Sequence, residues 1–126
     1  MMSLLLGSSI LTVLIAIAHS WLGEKYIIIR LLRRDNLPKL FGRDTFTKHT
    51  IRFAWHLTTA AWLGLAAVQL LLSGYFSGLF ISRAILIAVG ITFFACALLS
   101  IIFTRGRHLS WIIFLAVSIL CLAASF

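Results

Sequence analysis

Hydrophobic residues gather in four almost uncharged stretches that are separated by shorter polar segments. Each stretch is about as long as the ~20 apolar residues that a helix needs to cross a bilayer. The expected spans are residues 3–23, 52–73, 82–104 and 108–126. We therefore predict one all-α domain over residues 1–126, a polytopic membrane protein folded as an antiparallel four-transmembrane-helix bundle.

The composition supports this prediction and argues against a soluble fold. Of the 126 residues, 62% are hydrophobic and 11% are charged, and the mean hydropathy is +1.10. So few polar residues cannot coat a soluble globule of this size. The net charge of +8 lies in short segments beside the apolar stretches, so we expect anionic lipids, and no nucleic acid, as its partner.

The basic residues are distributed asymmetrically, which predicts an orientation. Eight of the 11 Lys and Arg residues lie between Lys25 and Arg52, and Arg105 and Arg107 lie in the last connection. Because cytoplasmic loops are enriched in Lys and Arg, both connections are expected on the cytoplasmic side. For a bacterial inner-membrane protein, this places the turn over residues 73–78 and both termini in the periplasm. A eukaryotic organelle is the alternative membrane, since the sequence gives no organism.

The basic connection over residues 24–51 is itself patterned. From Lys25 to Arg34 apolar and basic residues are mixed, so the first helix should continue as an amphipathic interfacial segment. Pro38 should end it, since the residue before proline disfavours the helical conformation. Asp44 or Thr45 is the expected N-cap of the second helix.

Small residues recur at four-residue spacing on the expected helices, which is typical of close helix contacts in membranes. One row lies on the first helix, one on the second and one on the third. The row on the first helix is Ser8, Thr12, Ala16 and Ser20, and the row on the third is Ala84, Ala88, Thr92, Cys96 and Ser100. On the second helix, Ala60 and Gly64 share a face with His56. Such faces predict tight internal packing and allow a homo-oligomer or a larger membrane complex.

Histidine is the residue type that most suggests chemistry. His19 and His56 are expected at similar depth near the cytoplasmic boundary, and His108 opens the fourth span at the same side. Facing histidines can ligate a b-type haem, and three histidines with Glu24 can hold a divalent metal. One alternative is that His19 and His56 form hydrogen bonds across helices while His108 is solvated or touches lipid phosphates. Another is that the histidines line a proton or substrate pathway. The sequence leaves the cofactor, if any, unknown.

A head-group site is a further hypothesis at the same face. Arg52, Trp55, Arg105 and Arg107 can surround the head group of an anionic lipid or a quinone. The alternative is that the tryptophans form an interfacial aromatic belt while the arginines anchor the helices.

Catalytic chemistry has little support in the sequence. The chain has three acidic residues, all in the basic connection, which leaves few candidates for general acid or base catalysis. We expect no Ser-His-Asp arrangement, because spacing brings no partner close to Ser20 or Ser110. A non-enzymatic protein is therefore expected.

Two segments carry a family resemblance. The segments 19–24 (HSWLGE) and 52–57 (RFAWHL) resemble a pattern in uncharacterised small four-helix bacterial inner-membrane proteins. The resemblance implies an inner-membrane location and no activity. Three functions stay open: a non-enzymatic accessory or interaction protein, a haem- or metal-binding redox protein, and a small carrier or lipid- or quinone-binding protein.

Overall fold

A computed structural model of the chain describes residues 2–76 and 80–125, and these residues are mainly helical. Residues 77–78 of the expected periplasmic turn and the outermost residues of the chain lie outside the described residues. The elements are α1 (Met2–Gly23), a π-helical turn (Glu24–Ile28), α2 (Ile29–Leu31), α3 (Thr45–Leu72), α4 (Ile81–Thr104) and α5 (Ser110–Ala123).

Three of the observed helices agree with their expected spans, and the fourth helix is shorter than its expected span. Residues 3–31, 45–72 and 81–104 form helices that are long and apolar enough to cross a membrane. The last helix, α5, has only 14 residues, which corresponds to ~21 Å at a rise of ~1.5 Å per residue. It begins later than expected, because residues 105–109 form the turn that follows α4.

The basic connection also follows the sequence pattern in part. The first helix continues through the π-helical turn to Leu31, so its extension beyond residue 23 is confirmed, and it ends before Pro38. Asp44 occupies the N-cap position of α3, but its side chain makes no capping hydrogen bond. Its carboxylate instead lies 2.6 Å from Lys48 Nζ, one turn into the helix.

Extensive packing among the described residues joins consecutive long helices: α1 with α3, α3 with α4, and α4 with α5. Small residues make these contacts close. On α3, Gly64 faces the side chain of Thr92, and on α4, Gly90 faces Leu122. Ser118 Oγ also donates to the carbonyl of Gly90 at 2.8 Å. The prediction of tight contacts at small residues is confirmed.

The buried core is small and the outer surface is apolar. The buried hydrophobic residues among those described are Ala16, Ile28, Phe53, Ala66, Cys96 and Ala97. Large aliphatic side chains point outward along the helices, where Leu4 is 77% exposed and Leu11 and Ile113 are each 67% exposed. The hydrophobic residues of this chain therefore face its surroundings more than they face one another.

Replacement of Gly64 by alanine tests the close contact between α3 and α4. A Cβ at this position would collide with Thr92, whose hydroxyl already donates to the carbonyl of Ala88. We expect Gly64→Ala to lower the free energy of unfolding by about 1–3 kcal/mol, the usual cost of overpacking. The measurement is thermal or denaturant unfolding in a mild detergent.

The matched control is Gly7→Ala, because nothing lies within 4 Å of the Cβ that it would add. Alanine has the higher helix propensity, by about 1 kcal/mol, so this variant should be as stable as the wild type or more stable. Equal destabilisation by both substitutions would contradict the assigned contact.

A second prediction concerns acid stability at the start of α3. The hydrogen bond from Lys48 lowers the pKa of Asp44 below its ordinary value. Ion pairing therefore stabilises the helix above the unfolded-state pKa of aspartate, and this contribution disappears as the pH falls through the lowered folded-state pKa. Wild type and Asp44→Asn should differ in stability at neutral pH and converge at strongly acidic pH. A constant difference across this range would contradict the assignment.

Candidate functional site

The carboxylate of Glu24, at the start of the π-helical turn, contacts two basic side chains of α3. Glu24 Oε1 lies 2.9 Å from a terminal guanidinium nitrogen of Arg52, and Glu24 Oε2 lies 3.2 Å from Nε2 of His56. Arg52 and His56 are one turn apart on α3, so one carboxylate spans both of them. The Glu24 side chain is 29% exposed, which leaves this ion pair partly shielded from water.

The backbone at this point is adapted to the contact. The indole of Trp55 occupies the space that a side chain at residue 23 would fill, so only glycine fits there. Nε1 of Trp55 donates a hydrogen bond to the carbonyl of His19 at 3.1 Å. The π-helical turn begins directly after Gly23, and such turns occur frequently at functional sites.

A serine extends the network. Ser20 Oγ lies 2.7 Å from Nδ1 of His56, while Nε2 of the same ring contacts Glu24. The carboxylate can only accept, so Nε2 carries the proton; in the neutral ring Nδ1 then accepts from Ser20. The expectation that Ser20 has no partner is wrong, because the spacing of residues along the sequence does not reveal contacts between helices.

The Ser20–His56–Glu24 chain can hold a proton at a defined atom, but its surroundings do not resemble a hydrolase site. Glu24 is shared with Arg52, and Ser20 lies within the regular part of α1. The cavities of about 360 to 670 Å³ among the described residues are lined by other side chains. We therefore assign the hydrogen bonds among Ser20, His56 and Glu24 a role in joining α1 to α3.

His19 lies in an aromatic setting instead. Its ring stacks on Trp55 at a centroid distance of 4.4 Å, with an interplanar angle of 5°, and it lies 4.8 Å from the ring of Trp62. His19 Nε2 is buried and has no hydrogen-bond partner among the described residues. Its ring is thus held by two indoles from α3.

His108 occupies a third place, at the turn between α4 and α5. Its Nδ1 lies 2.9 Å from Ser110 Oγ, so Ser110 also has a histidine partner that the sequence analysis did not predict. The ring lies 5.7 Å from Phe53. Ser110 in turn contacts Ser100 at 2.9 Å, which links the turn to α4.

These placements correct the expected histidine cluster. Among residues 2–76 and 80–125 no group of three or more His, Cys, Asp or Glu side chains could hold a metal ion. Of His19, His56, His108 and Glu24, the contact that forms is between His56 and Glu24. Similar depth along the helices would not fix the rotation of each helix, and aromatic or acidic partners engage each ring separately. Because His56 Nε2 is also engaged, this geometry does not favour ligation of a haem.

The four residues expected to surround a head group do not lie together: two contact the first helix and two line a cleft elsewhere. Arg52 pairs with Glu24 and Trp55 binds the backbone of α1. Arg105 and Arg107 line a separate cleft of about 200 Å³. We call this the arginine cleft; its lining residues are Leu40, Phe41, Arg43, Thr45, Phe46, His49, Thr104, Arg105 and Arg107. Arg43 and His49 were not predicted as site residues, although the basic character of their segment is plain in the sequence.

Comparison with protein-family models found no match, and comparisons with curated proteins and with solved structures also found none.

A double-mutant cycle on Glu24 and Arg52 tests the main ion pair. Each single variant, Glu24→Gln and Arg52→Gln, should be destabilised because it leaves a partly buried charge without its partner. The double variant should be less destabilised than the sum of the two, with a coupling energy of about 0.5–3 kcal/mol. Unfolding in detergent at constant ionic strength gives all four free energies.

The control cycle uses Asp44→Asn and Lys48→Gln, a pair of similar exposure whose two members lie one turn apart at the start of a single helix. Its coupling should be smaller than that of the first cycle, because an i,i+4 pair within one helix contributes little to stability and joins no two helices. Additive effects of the Glu24 and Arg52 variants would show that their contact does not join α1 to α3.

Proposed function

We propose that this chain is an integral protein of the bacterial inner membrane and acts there as a non-enzymatic accessory or interaction protein. The observation that carries the proposal is the outward display of large apolar side chains along the helices, as at Leu4, Leu11 and Ile113. In water such a surface would aggregate. In a bilayer the same surface is matched to its solvent, and the helices satisfy their own backbone groups.

Contacts between helices support an antiparallel arrangement of the spans. Ser9, near the start of α1, donates to the carbonyl of Ala66 in the second half of α3 at 2.8 Å. Ser20, near the end of α1, contacts His56 in the first half of α3. These paired positions run in opposite directions along the two helices.

The charge distribution supports the proposed orientation. Residues from the connection before α3 and from the turn after α4 line the same arginine cleft, so Arg43, Arg105 and Arg107 lie at one end of the molecule. A basic end of this kind belongs on the cytoplasmic side, and both termini then face the periplasm.

A non-enzymatic role is supported by the state of the acidic groups. Glu24 is engaged by Arg52 and His56, and Asp44 is engaged by Lys48. Asp35, the third acid, lies exposed in the connection. The outer face of α1 includes an open surface at Gly7, which is available to lipid or to a membrane partner, including a second copy of the chain.

Cysteine labelling tests insertion and orientation together. In a background with Cys96 and Cys121 replaced by alanine, Tyr75→Cys should react with a membrane-impermeant maleimide added to spheroplasts. Asn36→Cys should react only after the membrane is permeabilised. Both positions are exposed, so the barrier between them would be the bilayer.

Extraction provides the independent control. The protein should stay in the membrane pellet at alkaline pH and be released by detergent. Release by alkali would contradict insertion, and the opposite labelling pattern would contradict the orientation while leaving insertion intact.

A further inference from the structure

The arginine cleft combines several positive groups with no negative group in its lining. Three of its residues carry guanidinium groups, and His49 adds a group that can become positive. Within the described parts of the chain, Arg43, Arg105 and Arg107 form no ion pair with a carboxylate. The carboxylate next to the cleft, that of Asp44, is engaged by Lys48 at 2.6 Å. The cleft therefore has an unbalanced positive charge.

The backbone on both sides of the cleft is shaped by tight reversals. On one side Phe41 and Gly42 have φ angles of 57° and 79°, and on the other Arg105 and Gly106 have φ angles of 52° and 73°. The amide of Gly106 bonds to the carbonyl of Ile101 at 3.1 Å, which closes the end of α4. These reversals bring arginines that are distant in sequence to one cavity.

We propose that the arginine cleft binds the phosphate group of an anionic lipid at the cytoplasmic face, with Arg43, Arg105 and Arg107 as its main ligands. Arginine presents a planar fork of donors that matches phosphate oxygens. A cavity of about 200 Å³ has the volume of roughly six to seven water molecules in the liquid. That space admits a phosphate group but not the acyl chains of the lipid.

The rim of the cleft favours a lipid over soluble phosphate as the source of this group. Phe41 is 87% exposed and Leu40 is 49% exposed, and both belong to the lining. Leu109, two residues beyond Arg107, is 68% exposed. Apolar side chains beside a phosphate site can enter the acyl-chain region while the arginines remain at head-group level. This choice of source rests on the proposed membrane insertion.

The test measures lipid binding to the full chain in a neutral detergent by native mass spectrometry. The probes are short-chain phosphatidylglycerol, short-chain phosphatidylcholine and inorganic phosphate. Wild-type protein should bind phosphatidylglycerol at least tenfold more tightly than phosphatidylcholine. The variant Arg43→Gln/Arg105→Gln/Arg107→Gln should lose at least tenfold in affinity for phosphatidylglycerol.

The matched control removes the same charge elsewhere, with Arg33→Gln/Arg34→Gln/Lys39→Gln in the basic connection. These residues do not line the cleft, so affinity should change by less than threefold. Equal losses in the two variants would show that binding follows net charge and would overturn the proposal. Equal binding of both lipids by the wild type would overturn it as well.

Two further measurements distinguish a folding defect from lost binding, and a lipid phosphate from free phosphate. If the triple variant does not fold, Arg43→Gln alone should still reduce affinity, and no reduction in a folded Arg43→Gln protein would overturn the proposal. Tight binding of inorganic phosphate without preference for phosphatidylglycerol would overturn the lipid source. Cysteine labelling reads membrane insertion separately, so failure of the cleft and failure of the proposed function are distinguishable.

Discussion

The carboxylate of Glu24 sets the register of the first helix against α3. Glu24 lies between Arg52 and His56, and both of these bases lie on α3. A charge in a partly shielded place is costly when it lacks a partner, so the pairing fixes how far along α3 the first helix can sit. The neighbouring contacts, Ser20 with His56 and Trp55 with the His19 carbonyl, belong to the same register. A shift of one turn would break all of them together.

The same pairing divides the basic residues into two classes. Arg52 and Lys48 each have a carboxylate within 3 Å, and these pairs join or stabilise helices. Arg43, Arg105 and Arg107 share a cleft without such a partner among the described residues. With three acids against 11 Lys and Arg residues, internal pairing cannot balance the basic end. The balance must come from groups outside the chain, and in the proposed orientation the anionic lipids of the cytoplasmic leaflet would supply it.

Hydropathy was sufficient to predict that the four apolar stretches are helical, because a long apolar run without charges favours a helix. The four-residue spacing of small residues also predicted close contacts between helices, as Gly64 against Thr92 illustrates. The histidine site could not be predicted in the same way. His19, His56 and His108 each meet partners that depend on the rotation of a helix and on the π-helical turn, and neither has a hydropathy signal. The shorter α5 likewise reflects the turn at residues 105–109, which the apolar pattern conceals.

The turn that follows α4 shows how local strain and charge are related. Helices commonly end with glycine in the left-handed conformation, because a Cβ is disfavoured there. Here Arg105 takes that conformation and Gly106 follows it. Glycine at residue 105 would remove the strain but would also remove a guanidinium group from the cleft. Thr104 supports the turn, since its hydroxyl donates to the Ser100 carbonyl and accepts from the amide of His108. Arginine in this strained position places a positive charge in the cleft that glycine could not supply.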